Sequence, residues 1–191
     1  MADCSVERDI IAYNVGIDAF GKCGEWVLAL QLLREMPKSQ AENKTIAYSA
    51  AINACEGGGQ WVQALQLFRE TADSRVERNT IMYSAAVSAC EKGLQWIQAL
   101  QLFCEMADCS VERNTITYNT AVSACGMGLQ WVQALQLFRE MVDSRVNRNT
   151  VTYNAVVSAC EKGEQWVRAL QLFRELTDSR VERNTITYNA A

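Results

Sequence analysis

The 191-residue sequence predicts an all-α solenoid built from helix-turn-helix repeats, and three observations carry that prediction. The first is a ruler: Trp26, Trp61, Trp96, Trp131 and Trp166, the only tryptophans, each stand 35 residues from the next. A constant step between the largest side chains means that one structural element is copied down the chain. The second is periodicity, because each copy holds two stretches of apolar residues near a period of 3.6. The third is punctuation. The single proline, Pro37, and the few glycines fall between those stretches, so no long flexible linker divides the chain.

Aligned on the tryptophans, the chain reads as repeats at 10–44, 45–79, 80–114, 115–149 and 150–184. Residues 1–9 match the end of a repeat, since nearly the same run closes 80–114, and residues 185–191 match the opening of a sixth. Neither end resembles the polar cap that a solenoid places over its terminal apolar face, which predicts a segment of a longer array, with a truncated gene model as the alternative. Within 115–149, Tyr118, Ala121, Val122 and Cys125 mark one helical face, with Asn114 as the N-cap of a helix at about 115–126. Gly126 and Gly128 break that pattern. Trp131, Ala134, Leu135, Phe138 and Met141 then mark a second helix at about 130–142, which ends at Val142-Asp143-Ser144-Arg145. Its tryptophan shares a face with Ala, Leu and Phe, which predicts burial between hairpins.

Composition is that of an ordinary soluble chain, 49% hydrophobic and 21% charged. No apolar run reaches the 18 or so residues of a membrane span, and no targeting segment opens the sequence. Histidine is absent. That removes the commonest general base and the Ser-His and Cys-His nucleophile pairs, and no phosphate-binding glycine loop replaces them. The expectation is a non-enzyme with no catalytic residues, cofactor, metal or small-molecule substrate. Carboxylates such as Glu140 and Asp143 read as solvated helix-end charges. Of the eight cysteines, Cys55, Cys90, Cys125 and Cys160 recur every 35 residues on the apolar face. Packed helices hold such positions roughly 8–10 Å apart, too far for disulfides or a shared zinc ion, so they read as buried thiols of a reducing, intracellular compartment. Cys4, Cys23, Cys104 and Cys109 read as incidental.

The run TITYNTAVSACGMGLQWVQALQLFREMVDSRVNRN at 115–149 resembles a pentatricopeptide repeat in its length, its opening T-Y-N and its A-L-x-L-F-x-E-M second helix. The tetratricopeptide repeat is shorter by one and carries its W-x2-L-G-x2-Y signature in the first helix. The resemblance spans residues 10–184 and implies a right-handed superhelix that binds single-stranded RNA, one base per repeat, in organellar RNA processing, editing, stability or translation. It also implies a mitochondrial or plastid location, with other RNA-processing proteins as partners and no membrane. One departure stands out. Most family members carry proline before the last residue of a repeat, where this chain has Arg78, Arg113, Arg148 and Arg183, which predicts a looser or differently angled turn.

The resemblance assigns base reading to the fifth and last residues of each repeat: Asn14 with Lys44, Ser49 with Asn79, Ser84 with Asn114, Asn119 with Asn149, and Asn154 with Asn184. Ser/Asn pairs imply adenine and Asn/Asn pairs a pyrimidine, cytosine before uracil, whereas Asn14 with Lys44 matches no standard pair. The implied tract is N-A-A-Y-Y. A plainer role exists for each residue, because Asn at a helix start caps it and Ser in a first turn bonds the backbone. Yet the fifth position alternates between Ser and Asn while the adjacent Tyr stays fixed, which capping alone does not require. Ile11, Ile46, Ile81, Ile116 and Val151 stand second in each repeat, where the family sandwiches a base; packing between neighbouring first helices is the alternative. Lys22, Lys92 and Lys162 stand thirteenth, where the family contacts phosphate, with Gly57 and Met127 breaking the series. The net charge of −4 opposes them, and Glu56, Glu91 and Glu161 lie beside the lysine positions. A weak affinity and a shallow salt slope follow. The competing function is a protein-interaction scaffold whose concave surface holds a peptide or helix.

Overall fold

A computed structural model describes residues 3–36, 41–74 and 76–178. Among them all regular structure is helical: α1 (Asp3–Lys22), α2 (Trp26–Glu35), α3 (Ala41–Gly57), α4 (Trp61–Asp73), α5 (Thr80–Lys92), α6 (Trp96–Asp108), α7 (Thr115–Met127), α8 (Trp131–Asp143), α9 (Thr150–Lys162) and α10 (Trp166–Asp178). The all-α class of paired helices is thus as predicted, and every even-numbered helix opens on a tryptophan. The chain divides into two compact units, 1–93 and 94–191.

In the N-terminal unit, α1, α3 and α5 pack side by side. The second helices α2 and α4 each lie against their own hairpin partner and the next first helix. Small residues permit that approach. A Cβ on Gly21 would come within 2.9 Å of Ala54 Cβ, so glycine is what lets α1 sit close to α3. The core here gathers Ala51, Ile52, Cys55, Phe68, Met82, Tyr83 and Val87, all buried. The C-terminal unit repeats the plan, with α7 beside α9, α6 and α8 on α7, and α8 and α10 on α9. Its core holds Val122, Cys125, Phe138, Tyr153, Val156 and Cys160. Within these cores each second-helix Phe meets the next Tyr edge-on, Phe68 with Tyr83, Phe103 with Tyr118 and Phe138 with Tyr153, at centroid distances of 4.8, 4.9 and 5.1 Å. Such pairs add about 0.5–1.5 kcal/mol beyond their burial.

Three differences from the sequence reading have physical causes. α1 already runs from Asp3 and α3 from Ala41, upstream of the helix starts that the register places at about 10 and 45. At the second start Lys44 stands where Asn79, Asn114 and Asn149 stand in later repeats, so no capping side chain stops α3 there. Gly126 does not break α7 but lies inside it, where a Cβ would come within 3.2 Å of Ala159 Cβ.

The tryptophans are the third. They are half-buried rather than enclosed, and Trp166 is 70% exposed. Each of the other four lies on a glycine in the turn of the following hairpin. A Cβ on Gly58 would stand 2.6 Å from Trp26 Cδ1 and one on Gly128 2.5 Å from Trp96 Cδ2; Gly93 under Trp61 and Gly163 under Trp131 leave still less room. These glycines serve close approach, not a special backbone angle. Gly93, Gly128 and Gly163 have φ of −79°, −79° and −88°, open to any residue. The left-handed step of the turn falls one residue later, on Gly59, Leu94, Leu129 and Glu164, whose φ lies between 58° and 68°. There the chain closes a Schellman motif, with Gln130 N–H donating to Cys125 C=O and Leu129 N–H to Gly126 C=O.

Candidate functional site

From α5 onward the predicted base-reading and base-sandwiching residues lie at the N-terminal ends of the first helices, whereas Ile11, Asn14, Ile46 and Ser49 lie inside α1 and α3. Lys22, Lys92 and Lys162 end α1, α5 and α9. Local backbone chemistry fixes several of these residues. Asn79, Asn114 and Asn149 are N-caps in extended conformation. Their Oδ1 atoms accept from the backbone N–H of Met82, Thr117 and Thr152, each at 3.0 Å. Capping therefore spends the carbonyl end of each amide and turns its NH2 group away from the helix, so the last residue of these repeats is a donor. The two roles weighed for these asparagines are compatible, since the cap sets the polarity of whatever the amide meets.

The fifth residues divide by type. Ser49 is buried and Ser84 half-buried; their hydroxyls donate back to Thr45 C=O at 2.8 Å and Thr80 C=O at 2.6 Å. Their protons are used and their lone pairs remain as acceptors. Asn119 behaves differently, donating from Nδ2 to Asn149 Oδ1 at 3.3 Å while its own Oδ1 accepts from Thr152 Oγ1 at 2.6 Å. The structure thus joins Asn119 to Asn149. It does not join Ser49 to Asn79 by a hydrogen bond, nor Asn14 to Lys44: Asn14 Oδ1 is buried without a partner. Asn154 is half-buried, and Asn184 with Arg183 lies outside the described residues.

The second-position aliphatics stand free of the core. Ile11, Ile46, Ile81, Ile116 and Val151 are between 50% and 65% exposed, in contrast to packing between neighbouring first helices. The lysines are largely spoken for. Lys22 Nζ pairs with Asp18 at 2.6 Å, and Lys92 Nζ pairs with Glu56 Oε1 at 2.7 Å; Lys162 is exposed. Glu56 also accepts from Ser88 Oγ at 2.6 Å, so the acidic neighbour foreseen from the sequence takes up the cation from the adjacent helix.

The PPR repeat profile matches residues 11–40, 46–76 and 81–111, and a PPR repeat family profile matches 113–162 and 148–191. The chain belongs to the pentatricopeptide repeat family. No curated protein matches it. Among solved structures, the PPR repeats resemble the pentatricopeptide repeat protein PPR10 in complex with an 18-nt psaJ RNA element (22% identity, 97% of this chain and 29% of that one, TM-score 0.75). They also resemble the PPR domain of Arabidopsis thaliana protein-only RNase P 1 in complex with tRNA (14%, 91% of each chain, 0.76). A third likeness is to A. thaliana nuclear proteinaceous RNase P 2 (11%, 94% and 40%, 0.78). The chain spans less than a third of PPR10.

Where most PPR repeats have proline, this one has arginines that clamp rather than loosen the turn. Arg78, Arg113 and Arg148 lie over the rings of Phe68, Phe103 and Phe138 at 4.3, 4.8 and 3.7 Å. Arg148 also donates from Nε and Nη2 to the carbonyl of Phe138 at 2.9 and 2.6 Å, and Arg78 donates to the carbonyl of Phe68 at 3.2 Å. Arg148 thereby bonds a helix carbonyl while pairing with Glu175 of the next second helix at 3.0 Å, and Arg113 pairs likewise with Glu140 at 2.7 Å. Glu140 is consequently not a solvated helix-end charge. It is half-buried and also accepts from Tyr118 Oη at 3.0 Å. Burial, opposed by Ser144 and reinforced by Glu140, raises the Tyr118 pKa. The sequence signal for this clasp was present in the arginine recurring every 35 residues, but a charge alone does not say that it will stack on phenylalanine.

The cysteine ladder is inert. Cys55, Cys90, Cys125 and Cys160 are buried and free, and desolvation pushes Cys55 and Cys90 up to about 11 and Cys125 up to about 12. Thiols held protonated in this way are poor nucleophiles and poor metal ligands. Among the described residues no group of His, Cys, Asp or Glu could hold a metal ion, and no helix is long and apolar enough to cross a membrane.

Proposed function

We propose that the chain binds single-stranded RNA along the N-terminal ends of its first helices, one base per repeat, and acts sterically by masking or remodelling a site. The observation that carries this reading is the fixed hydrogen-bond polarity of the fifth and last residues. Ser49 offers a lone pair and Asn79 an NH2, which together complement adenine, with its N6 donor beside its N1 acceptor. Asn119 and Asn149 both turn N–H groups outward, which complements the adjacent N3 and O2 acceptors of cytosine. The repeat register 10–44, 45–79, 80–114, 115–149 and 150–184 belongs to this reading, because it decides which residue is fifth and which is last. The exposed Ile11, Ile46, Ile81, Ile116 and Val151 give flat apolar surfaces beside those pairs for a base to rest on. The RNA-bound structures of PPR10 and of the protein-only RNase P 1 PPR domain support the choice of ligand, and family membership supports an organellar role in RNA processing.

With Lys22 and Lys92 paired to carboxylates, affinity rests on base contacts more than on phosphate neutralisation, so the salt slope is shallow. Selection from a random single-stranded RNA pool at low salt tests the reading. Enrichment of A-A-Y-Y tracts is expected. No enrichment over a poly-U control would sink it and leave the peptide-binding scaffold as the better account. Ser49→Asn should move the preference at the second base from adenine to pyrimidine without loss of helicity. An equal change in affinity for every sequence would show that Ser49 does not read a base.

A further inference from the structure

We infer that Thr152 is a specificity-determining positioning residue: its hydroxyl sets the amide orientation of Asn119, the fifth residue of the preceding repeat, and thereby makes that repeat select cytosine over uracil. The inference rests on the base reading proposed above and adds a residue to it. Thr152 is fully buried on α9, and its hydroxyl has one proton to give. The shorter of its two contacts with an amide oxygen is Asn119 Oδ1 at 2.6 Å, against 3.0 Å for Asn149 Oδ1. The hydroxyl oxygen itself accepts from Asn149 N–H at 3.1 Å, which holds it in place. With its proton on Asn119, Asn149 Oδ1 is left to accept from Thr152 N–H at 3.0 Å and from Asn119 Nδ2 at 3.3 Å. Both amide oxygens are engaged, and the remaining N–H bonds, one on Asn119 and two on Asn149, are what a ligand would meet.

An asparagine amide can turn by half a revolution, exchanging donor for acceptor at nearly no cost in shape, and the 2.6 Å bond from Thr152 opposes that turn more strongly than the longer 3.3 Å bond to Asn149 Oδ1. Turned over, Asn119 would present Oδ1, the partner that the N3–H of uracil needs. Held by Thr152 it presents N–H instead, which suits the N3 and O2 of cytosine and leaves uracil N3–H facing a donor. The selectivity therefore comes from a residue that would not touch the RNA. The N-terminal unit offers the contrast. The residue equivalent to Thr152 beside the Ser49–Asn79 pair is Met82, which has no hydroxyl, and Ser49 needs none because Thr45 C=O already takes its proton.

The test measures equilibrium binding of the full chain to two RNA oligonucleotides, identical except for C or U at the base read by repeat 115–149. The unmutated chain should prefer C by about three- to ten-fold, the span that one hydrogen bond provides. In Thr152→Val, close in shape but without a hydroxyl, that ratio should fall toward one, and Thr152→Ser should restore it. Thr152→Cys, whose thiol is a weaker donor, should give an intermediate ratio and remains informative if the valine variant folds poorly. A C/U ratio that Thr152→Val and Thr152→Cys leave unchanged overturns the assignment. Preference for adenine at the second base is the control, because a merely structural role for Thr152 would weaken both preferences together. If the unmutated chain discriminates at neither base, the base reading itself has failed and this inference with it. If it discriminates at the second base while the C/U ratio ignores Thr152, the inference alone has failed.

Discussion

Two ladders run through this chain with the same 35-residue step, and they have opposite fates. Trp26, Trp61, Trp96 and Trp131 open second helices and lie on glycines of the following turns. Ile11, Ile46, Ile81, Ile116 and Val151 open first helices and stay at least half exposed. Both are apolar and both recur, with Val151 the one exchange, so recurrence does not separate scaffold from surface. What separates them is a complementary constant. The tryptophan ladder is matched by a glycine ladder 32 residues further on, whereas the isoleucine ladder stands at least half exposed. A side chain for which the fold reserves an empty place is structural. One for which it reserves none is available for a ligand.

The largest expected effect comes from breaking the reserved place. Trp131→Ala should destabilise the fold by about 2 kcal/mol, short of the ~3–5 kcal/mol of a fully enclosed tryptophan because the ring is only half-buried. Gly163→Ala should cost about 1–2 kcal/mol, since its methyl would overlap the indole and the ring must shift outward. Denaturant melts of both variants and of the double mutant check the coupling. The alanine should be harmless once Trp131 is gone, and an equal cost in both backgrounds would mean that Gly163 serves the backbone instead.

Much of this fold was legible in the sequence. The hairpin read at 115–126 and 130–142 forms α7 at Thr115–Met127 and α8 at Trp131–Asp143, because apolar period and capping asparagines are local signals. Burial was less legible. Trp131 shares a helical face with Ala134 and Phe138, yet a helix face has edges, and periodicity does not say how far a ring at the edge is covered. The Arg148 clasp joins residues on three elements, and no local pattern encodes such a contact. At the candidate site, the positions could be read through family resemblance, whereas the donor or acceptor state of each amide depends on hydrogen bonds from a neighbouring repeat. Asn119 and Asn154 look alike as letters; the contacts with Thr152 and Asn149 show which way the Asn119 amide points.

A smaller effect should run in the stabilising direction. The turn that carries each reserved glycine places its left-handed step on the next residue, and in three described turns that residue is Leu94, Leu129 or Glu164. A non-glycine residue in that region costs about 1 kcal/mol, and Leu129 is 61% exposed, so its side chain contributes little in return. Leu129→Gly should therefore raise stability by roughly 0.5–1 kcal/mol, somewhat offset by the added freedom of the unfolded chain. A shift of the denaturant midpoint in the opposite direction would show that the exposed leucine packs in solution.

The smallest effect on stability should come from the other ladder, and there the contrast is sharpest. Ile116 is 65% exposed and lies in the first turn of α7, so truncation removes little buried area. Alanine is also the better helix former by a few tenths of a kcal/mol. Ile116→Ala should thus leave the melting transition within about 0.5 kcal/mol of the parent, or slightly above it. If a base rests on this side chain, the same substitution removes an apolar surface that RNA would cover, and affinity should fall on the order of ten-fold. Because the lost contact is apolar and faces every base alike, the loss should be similar for C and U at that position, unlike the ratio change expected of Thr152→Val. Melting and binding measured on one preparation settle the point. A destabilised protein with unchanged RNA affinity would place Ile116 with the tryptophans, as a packing residue whose partner forms only in solution. A stable protein with weakened affinity would place the isoleucine ladder on the ligand side of the comparison.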